Sequence, residues 1–413
     1  MDKARIQSLF DMTPLNPAFN RHPYEMLAEL RESRPVFRDA RAGTFVLSRY
    51  ADVRAVLSDN TMWRHPSHAE EDAMVHRALL VRPPSEDPVL DEERVSTILY
   101  LEEPDHSRVR VPLAKALYKR VAKSRPLVQL IVDEWLDRIG GRSPFDAVNE
   151  FALKVPVDVI ARIIGVDNSL LDDFRDWSES LILSFNPLRS PEETARMKRG
   201  GANLSRCMHA LIKARRAAPQ DDLVSDLVAA QAEGAQVSDI ELSSNLQALM
   251  VGGNLTTTDL IGNAIWLFLT HPEELAKLKA DHGLINSAVE EALRYESPVD
   301  VTSRIASRDM ELGGCPIKQG QAMYTALRAA NWDPEAFPEP ERFDICRKGA
   351  PHLSFGGGAH VCVGAPLGRL EAQVALASFF ERYPNLRLAE PDKEPDWRIF
   401  PLFRGLKSLV VER

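Results

Sequence analysis

One cysteine of this chain sits where sulfur chemistry can happen. Cys362 lies in PHLSFGGGAHVCVGAPLG, residues 351–368, behind three glycines in a row. Downstream, Leu367, Leu370, Val374 and Ala377 recur at helical spacing, and Pro366 suits a first turn, where a missing N–H costs nothing. Cys362 therefore stands at or just before a helix N-terminus, whose partial positive charge favours thiolate over thiol. A thiolate so presented is a nucleophile, a zinc ligand or an axial ligand to a porphyrin iron. The bland reading is a small buried hydrophobe in a glycine-rich turn. A zinc set of Cys346, His352, His360 and Cys362 lacks any paired C-x-x-C or H-x-x-x-H knuckle.

Three other constellations carry chemistry or structure. Ser238 and Glu241 form a capping box that opens a long apolar helix running to about Leu269. Its middle suits a plain helix badly. Gly252 and Gly253 each cost about 1 kcal/mol relative to alanine, and Thr256, Thr257 and Thr258 are β-branched. The segment is either a notch for a crossing helix or a place where a flat ligand lies against backbone. Glu291 and Arg294 share a helix face, as do Glu290 and Arg294, and on sequence alone either is a surface ion pair of little worth. His106 and Arg110, four apart at a helix start, also face one way.

Phe355, Gly358, Cys362 and Gly364 give F-x-x-G-x-x-x-C-x-G, which resembles the cysteine-ligand loop of the cytochrome P450 family. The resemblance covers nearly the whole chain, from the hairpin before Tyr50 to the final RGLKSLVV. It implies a bacterial-type P450 over residues 1–413 as a single domain. The implied fold is mainly α with small β-sheets, a triangular prism holding haem b between the long central helix and the cysteine-loop helix. By the same resemblance Cys362 ligates the iron, while Phe355, Gly358 and Gly364 shape the loop. His106, Arg110, Arg304 and His352 meet the haem propionates, for which Arg–carboxylate pairing gives the chemical reason. Gly252 and Gly253 line the oxygen groove, with Thr256 as the hydroxyl for dioxygen and Thr257 beside it. Glu291, Arg294 and Arg342 form a structural triad under the haem.

There is one departure from the family pattern. An acidic residue usually precedes that threonine, and here it is Leu255. Proton delivery is then expected through Thr256, Thr257, Asn254 and water. The expected reaction is insertion of one oxygen atom of O2 into a hydrophobic small molecule, with electrons from NAD(P)H through a ferredoxin and its reductase. Arg108, Lys115, Lys119 and Arg120 are expected to form a basic face where that acidic donor docks. Leu249, Leu255, Val299, Val301 and Phe400 are expected to line an apolar pocket, with further pocket residues in 60–100, 181–185 and 400–402. The alternatives are a hydrogen-peroxide-dependent peroxygenase on the same fold and, in a different class, a haem-based sensor. A sensor would carry an adjoining output module, and none is expected.

The elements that must position these residues are mostly helices. Residues 22–34 read as an amphipathic helix, Val36–Arg38 and Thr44–Leu47 as a hairpin, and Tyr50–Leu57 as a helix. Residues 60–100 lack periodicity. From His106 to about Arg216 the pattern is helical, with breaks expected near Gly140, Asn186 and Gly200–Gly201. Leu223–Ala232 reads as another helix. Short strands follow around Val301, Met310–Leu312 and Met323–Tyr324, then coil from Asn331 to Pro351, and strands again from Ile399 to Val411.

Fifty-one basic against 60 acidic residues leave a net charge of −9, which argues against a nucleic-acid binder. Four scattered cysteines suggest a reducing compartment, and no run is long and apolar enough for a membrane anchor. A cytoplasmic monomer is expected.

Overall fold

In the computed structural model, the capping box at Ser238 starts a helix that runs from Asp239 to Thr270. Glu241 N–H donates to Ser238 Oγ at 3.2 Å and Ser238 N–H to Glu241 Oε2 at 2.8 Å, so two otherwise orphaned donors are satisfied reciprocally. The structure describes residues 6–13, 15–76, 97–185, 189–400 and 402–413. Residues 77–96 of the predicted pocket stretch 60–100, the predicted break at Asn186, the side chain of Phe185 and Pro401 lie outside the described residues.

The chain divides into two compact units. The first comprises residues 1–82, 262–362 and 390–409. Its four-stranded sheet runs in the order β1 (Val36–Asp39), β2 (Thr44–Leu47), β7 (Ala322–Ala326), β4 (Val301–Ile305). The hairpin β1–β2 turns at Gly43, where φ is +58° and a Cβ would strike the Asp72 backbone. β2 lies parallel to β7, Thr44 opposite Ala322, which only a long crossover allows. All four residues of β2 and all five of β7 are buried, as expected for central strands covered on both faces. A small hairpin, β5 (Met310–Leu312) and β6 (Cys315–Ile317), stands apart. Leu47, Tyr50, Val53, Leu57, Met323 and Leu353 pack into one apolar cluster beneath the residues that precede Cys362.

The second unit comprises residues 83–261, 363–389 and 410–413 and is built of helices. They include Asp105–Val121, Arg125–Ile139, Lys154–Ile164, Leu171–Ile182, Pro191–Ala217, Leu223–Ala232 and Ala365–Arg382. Val155, Val157, Ile160 and Ile164 are wholly or almost wholly buried, and Phe145, Phe151, Phe379 and Tyr383 make an aromatic core. A three-stranded sheet, β3 (Phe145–Asp146), β9 (Val410–Glu412) and β8 (Arg387–Leu388), closes one end.

Two expectations need correction. Gly200–Gly201 is no break, because the helix runs unbroken from Pro191 to Ala217. A Cβ on Gly200 would land on the Ser180 hydroxyl, so the glycine lets the helices Leu171–Ile182 and Pro191–Ala217 approach closely. The expected strands of 399–411 reduce to Val410–Glu412 plus isolated bridges at Phe403 and Leu406.

Candidate functional site

Cys362 is exposed, and its N–H donates to Phe355 O at 2.9 Å, closing the loop across seven residues. Gly356 and Gly358 have φ of +72° and +65°, which glycine adopts without strain. A Cβ on Gly358 would also strike the Leu57 carbonyl, so no other residue fits there. Side chains of the first unit hold the loop from several sides. Asn60 Oδ1 accepts from Ala359 N–H at 2.7 Å, and Tyr50 OH donates to Pro351 O at 2.8 Å. Asn331 accepts from Leu353 N–H at 2.7 Å and donates to Ser354 Oγ at 2.8 Å. Arg304, 3% exposed on β4, donates to Gly357 O at 3.3 Å. The sulfur therefore sits on a braced loop, ahead of the helix Ala365–Arg382 with Pro366 in its first turn.

Below the loop, Glu291 and Arg294 form a buried two-pronged pair, 2.8 Å on each branch. Arg294 also donates to the carbonyls of Asn331, Pro340 and Arg342. The third member of this cluster is Arg347, not Arg342. Arg347 Nε donates to Glu291 Oε1 at 3.1 Å, while the Arg342 side chain is 57% exposed and no closer than 3.7 Å to an acid. Only the backbone of Arg342 joins. The spacing Arg342-x-x-x-x-Arg347 offers two candidates, and burial of the second decides between them.

His352 also differs from expectation. Its Nε2 lies 3.1 Å from Glu290 Oε2 and its Nδ1 accepts from Ser354 N–H at 3.1 Å, so both ring nitrogens are engaged within the protein.

In the second unit, the central helix turns one stripe outward. Gly252 is exposed, Gly253 and Thr256 are half-buried, and Leu249 and Leu255 beside them are 9% and 4% exposed. A Cβ on Gly252 or Gly253 would meet no atom within 4 Å, so open space borders the backbone there. Thr256 Oγ1 donates to Gly252 O at 2.6 Å, the i→i−4 back-bond typical of a mid-helix threonine. Its neighbours face elsewhere. Thr257 is buried, its hydroxyl turned toward Gly368 of the helix Ala365–Arg382. Asn254 Nδ2 donates to Ser178 Oγ at 3.1 Å. Of the three groups expected to relay protons, Thr256 alone lies on the open stripe.

His106, 2% exposed, and Arg110 lie on one face of the helix Asp105–Val121. Burial holds the His106 imidazole below its ordinary pKa, with the nearby Arg110 acting in the same direction and Glu103, 3.3 Å from Nδ1, opposing. The expected basic face is largely neutralised. Arg108 is paired with Glu241 and Asp105, Lys119 with Asp226, and Arg120 with Asp226 and Asp221. Acids of the loop and helix around 221–226 fold onto Lys119 and Arg120, which a helical projection of one segment does not show. Lys115 alone of the four makes no ion pair among the described residues.

Three pocket expectations also change. Val301 is buried in a cluster with Leu9, Phe19, Leu27 and Tyr324, a core position, and Val299 packs against the cluster around Leu47 and Tyr50. Phe400 is buried beside Phe403, with ring centroids 5.8 Å apart. A cavity of about 510 Å³ in the second unit, lined by Trp177, Asn203, Arg206 and Leu211 among others, contains none of the predicted site residues.

The residues present fit a haem better than a zinc ion. Among the described residues, no group of three or more His, Cys, Asp or Glu side chains is gathered to hold a metal ion, so Cys346, His352, His360 and Cys362 do not form a cluster. A single braced soft donor, a helix backbone with open space along it and the buried guanidinium of Arg304, suited to a carboxylate, match a flat iron macrocycle.

Comparison with known proteins points the same way. The family model described as Cytochrome P450 matches residues 59–401. Cytochrome P450 107B1 of Saccharopolyspora erythraea is 36% identical, with 97% of each chain covered. The 6-deoxyerythronolide B hydroxylase of the same organism is 33% identical over 94% of this chain and 95% of its own. Among solved structures, P450BioI in complex with an acyl carrier protein ligated to hexadec-9Z-enoic acid has a TM-score of 0.84 at 32% identity, covering 96% of this chain and 100% of that one. CalO2 has a TM-score of 0.88 at 28% identity, covering 98% and 99%.

Proposed function

The chain belongs to the cytochrome P450 family and is a P450 monooxygenase, and from that premise we propose how its residues serve the reaction. The reaction is insertion of one oxygen atom of O2 into a hydrophobic small molecule. Haem b is the cofactor, the two units work as one catalytic domain, and a ferredoxin with its reductase passes electrons from NAD(P)H. The observation that carries this reading is the braced loop of Cys362, whose sulfur is exposed on a backbone held by Asn60, Tyr50, Asn331 and Arg304.

Bound haem supplies the activation of dioxygen, and a thiolate ligand favours cleavage of the O–O bond. The chain's own residues do the rest. Cys362 is that ligand, its thiolate stabilised by the N-terminus of the helix that follows. His106, Arg110 and Arg304 hold the carboxylates of the macrocycle. His352 joins them only by releasing Glu290. Gly252 and Gly253 keep the helix backbone open, and Thr256 is the proton-handling hydroxyl. To donate toward the open side, Thr256 Oγ1 must leave the Gly252 carbonyl, so water and this one hydroxyl replace the carboxylate that Leu255 does not supply. Leu249 and Leu255, beside the open stripe, exclude water and give the substrate an apolar wall. The relatives include a 6-deoxyerythronolide B hydroxylase and a nocardicin C N-oxygenase.

The test is the carbon monoxide difference spectrum of the reduced protein. The red-shifted band of a sulfur-ligated ferrous adduct is expected, and Cys362→Ala should abolish it. Its absence in the unmodified chain, or its survival in the variant, overturns the reading.

A further inference from the structure

Glu241 and Asn245 lie four apart on the central helix and share a face. Both grip the stretch of chain that carries His106. Glu241 Oε1 accepts from Arg108 Nη2 at 2.6 Å, and Oε2 from Nη1 at 3.2 Å, while Oε2 also closes the capping box on Ser238. Arg108 is held further by Asp105 Oδ1 at 2.8 Å and by the Gln236 carbonyl. Asn245 is 1% exposed. Its Oδ1 accepts from Ile98 N–H at 2.9 Å and its Nδ2 donates to Glu241 O at 2.8 Å. A fully buried amide whose oxygen takes one backbone N–H ten residues before Arg108 is a fixed tether for that backbone.

The two tethers bracket the entry to the helix Asp105–Val121. The chain turns from Thr97, whose carbonyl accepts from the N–H groups of Tyr100 and Leu101, and His106 N–H then reaches back to Glu102 O at 2.7 Å. At 3.6 residues per turn, Arg108 projects roughly 160° away from both His106 and Arg110. Holding Arg108 on one side and Ile98 upstream therefore fixes the rotation of the helix about its own axis. That rotation decides where His106 and Arg110 aim. A helix clamped by the forked guanidinium on a carboxylate resists this roll in a way a single-point ammonium does not.

We propose that Glu241 and Asn245 are positioning residues which set the roll of the helix Asp105–Val121, so that His106 and Arg110 meet the carboxylates of bound haem. The assignment rests on the haem reading above. It makes the cap of the central helix and the seating of the cofactor one device, because Glu241 serves both.

The test uses the haem-loaded full chain. The variants are Glu241→Gln, which keeps an acceptor for the capping box, Asn245→Ala, their combination, and Arg108→Lys, which keeps the charge but loses the fork. Three readouts are taken: the rate of haem transfer to excess apomyoglobin, the propionate bending modes in resonance Raman spectra, and the carbon monoxide band. The combined variant should lose haem about tenfold faster, the scale at which supporting residues around a bound metal group act. Its propionate modes should shift while the carbon monoxide band stays in place. Arg108→Lys should move the same readouts in the same direction, and it carries the test where the combined variant does not fold. Unchanged haem release and unchanged propionate modes, even with a lowered melting temperature, overturn the clamp. A sulfur-ligated band absent from the unmodified chain overturns the haem reading instead, so the two failures are told apart.

Discussion

Glu291 receives two arginines and one backbone N–H, that of Asp344 at 3.0 Å, with the carboxylate 3% and Arg294 2% exposed. Removing Arg347 takes one charged hydrogen bond from a buried carboxylate that Arg294 still pairs. Arg347→Ala is therefore expected to destabilise by about 2 kcal/mol. Arg342→Ala, at an exposed side chain, should stay within about 0.5 kcal/mol. Parallel denaturant titrations of the two variants check this, and a larger loss in Arg342→Ala would restore that residue to the cluster. A second buried acid behaves differently. Glu371 is 2% exposed in the helix Ala365–Arg382, and its Oε2 has no hydrogen-bond partner among the described residues. Burial raises its pKa well above the ordinary 4.5. The folded state thus holds the proton more tightly than the unfolded chain, so this stability is complete below the ordinary value and is lost as pH rises through the raised one. Glu371→Gln keeps the neutral shape and cannot ionise. Its melting temperature should fall less than that of the unmodified chain between mildly acidic and alkaline buffer, and equal slopes would contradict the assignment.

At the scale of elements, local signals carried far and long-range partners did not. The capping box at Ser238, the hairpin around Gly43 and the proline-led helix after Cys362 could be read from the sequence because each depends on neighbours a few residues away. The run of Gly252, Gly253 and Thr256 also marked the open stripe, since glycines are costly in a helix interior. What escaped depends on partners distant in sequence. The acids at 221–226 that neutralise Arg120 and Lys119 lie about a hundred residues away, and the Ser180 hydroxyl that Gly200 makes room for sits on a different helix. Thr257 illustrates the same limit within one helix: three threonines in a row look alike, and only packing against Gly368 separates them. Buried polar clusters were equally invisible. Glu296 accepts from Tyr24 OH at 2.6 Å and from Arg404 Nε at 3.1 Å, joining segments from both ends of the sequence.

For the whole molecule, the pairing of Arg108, Lys119 and Arg120 bears on how electrons arrive. A face that steers an acidic donor changes association rates by about tenfold or more, and loses that gain in salt. With these cations already paired, reduction by ferredoxin is expected to vary less than that with ionic strength. The same assay decides between oxidants: turnover with ferredoxin, its reductase and NAD(P)H should exceed turnover with hydrogen peroxide alone, and efficient peroxide-only turnover would make the chain a peroxygenase. No helix among the described residues is long and apolar enough to cross a membrane. The glycine notch at residue 200 has a last bearing on behaviour in solution. With the Ser180 hydroxyl filling the place of a side chain, the two helices that meet there cannot slide past each other without collision. A shift of one is therefore expected to carry the other with it. Amide exchange along both should slow in step when a ligand binds.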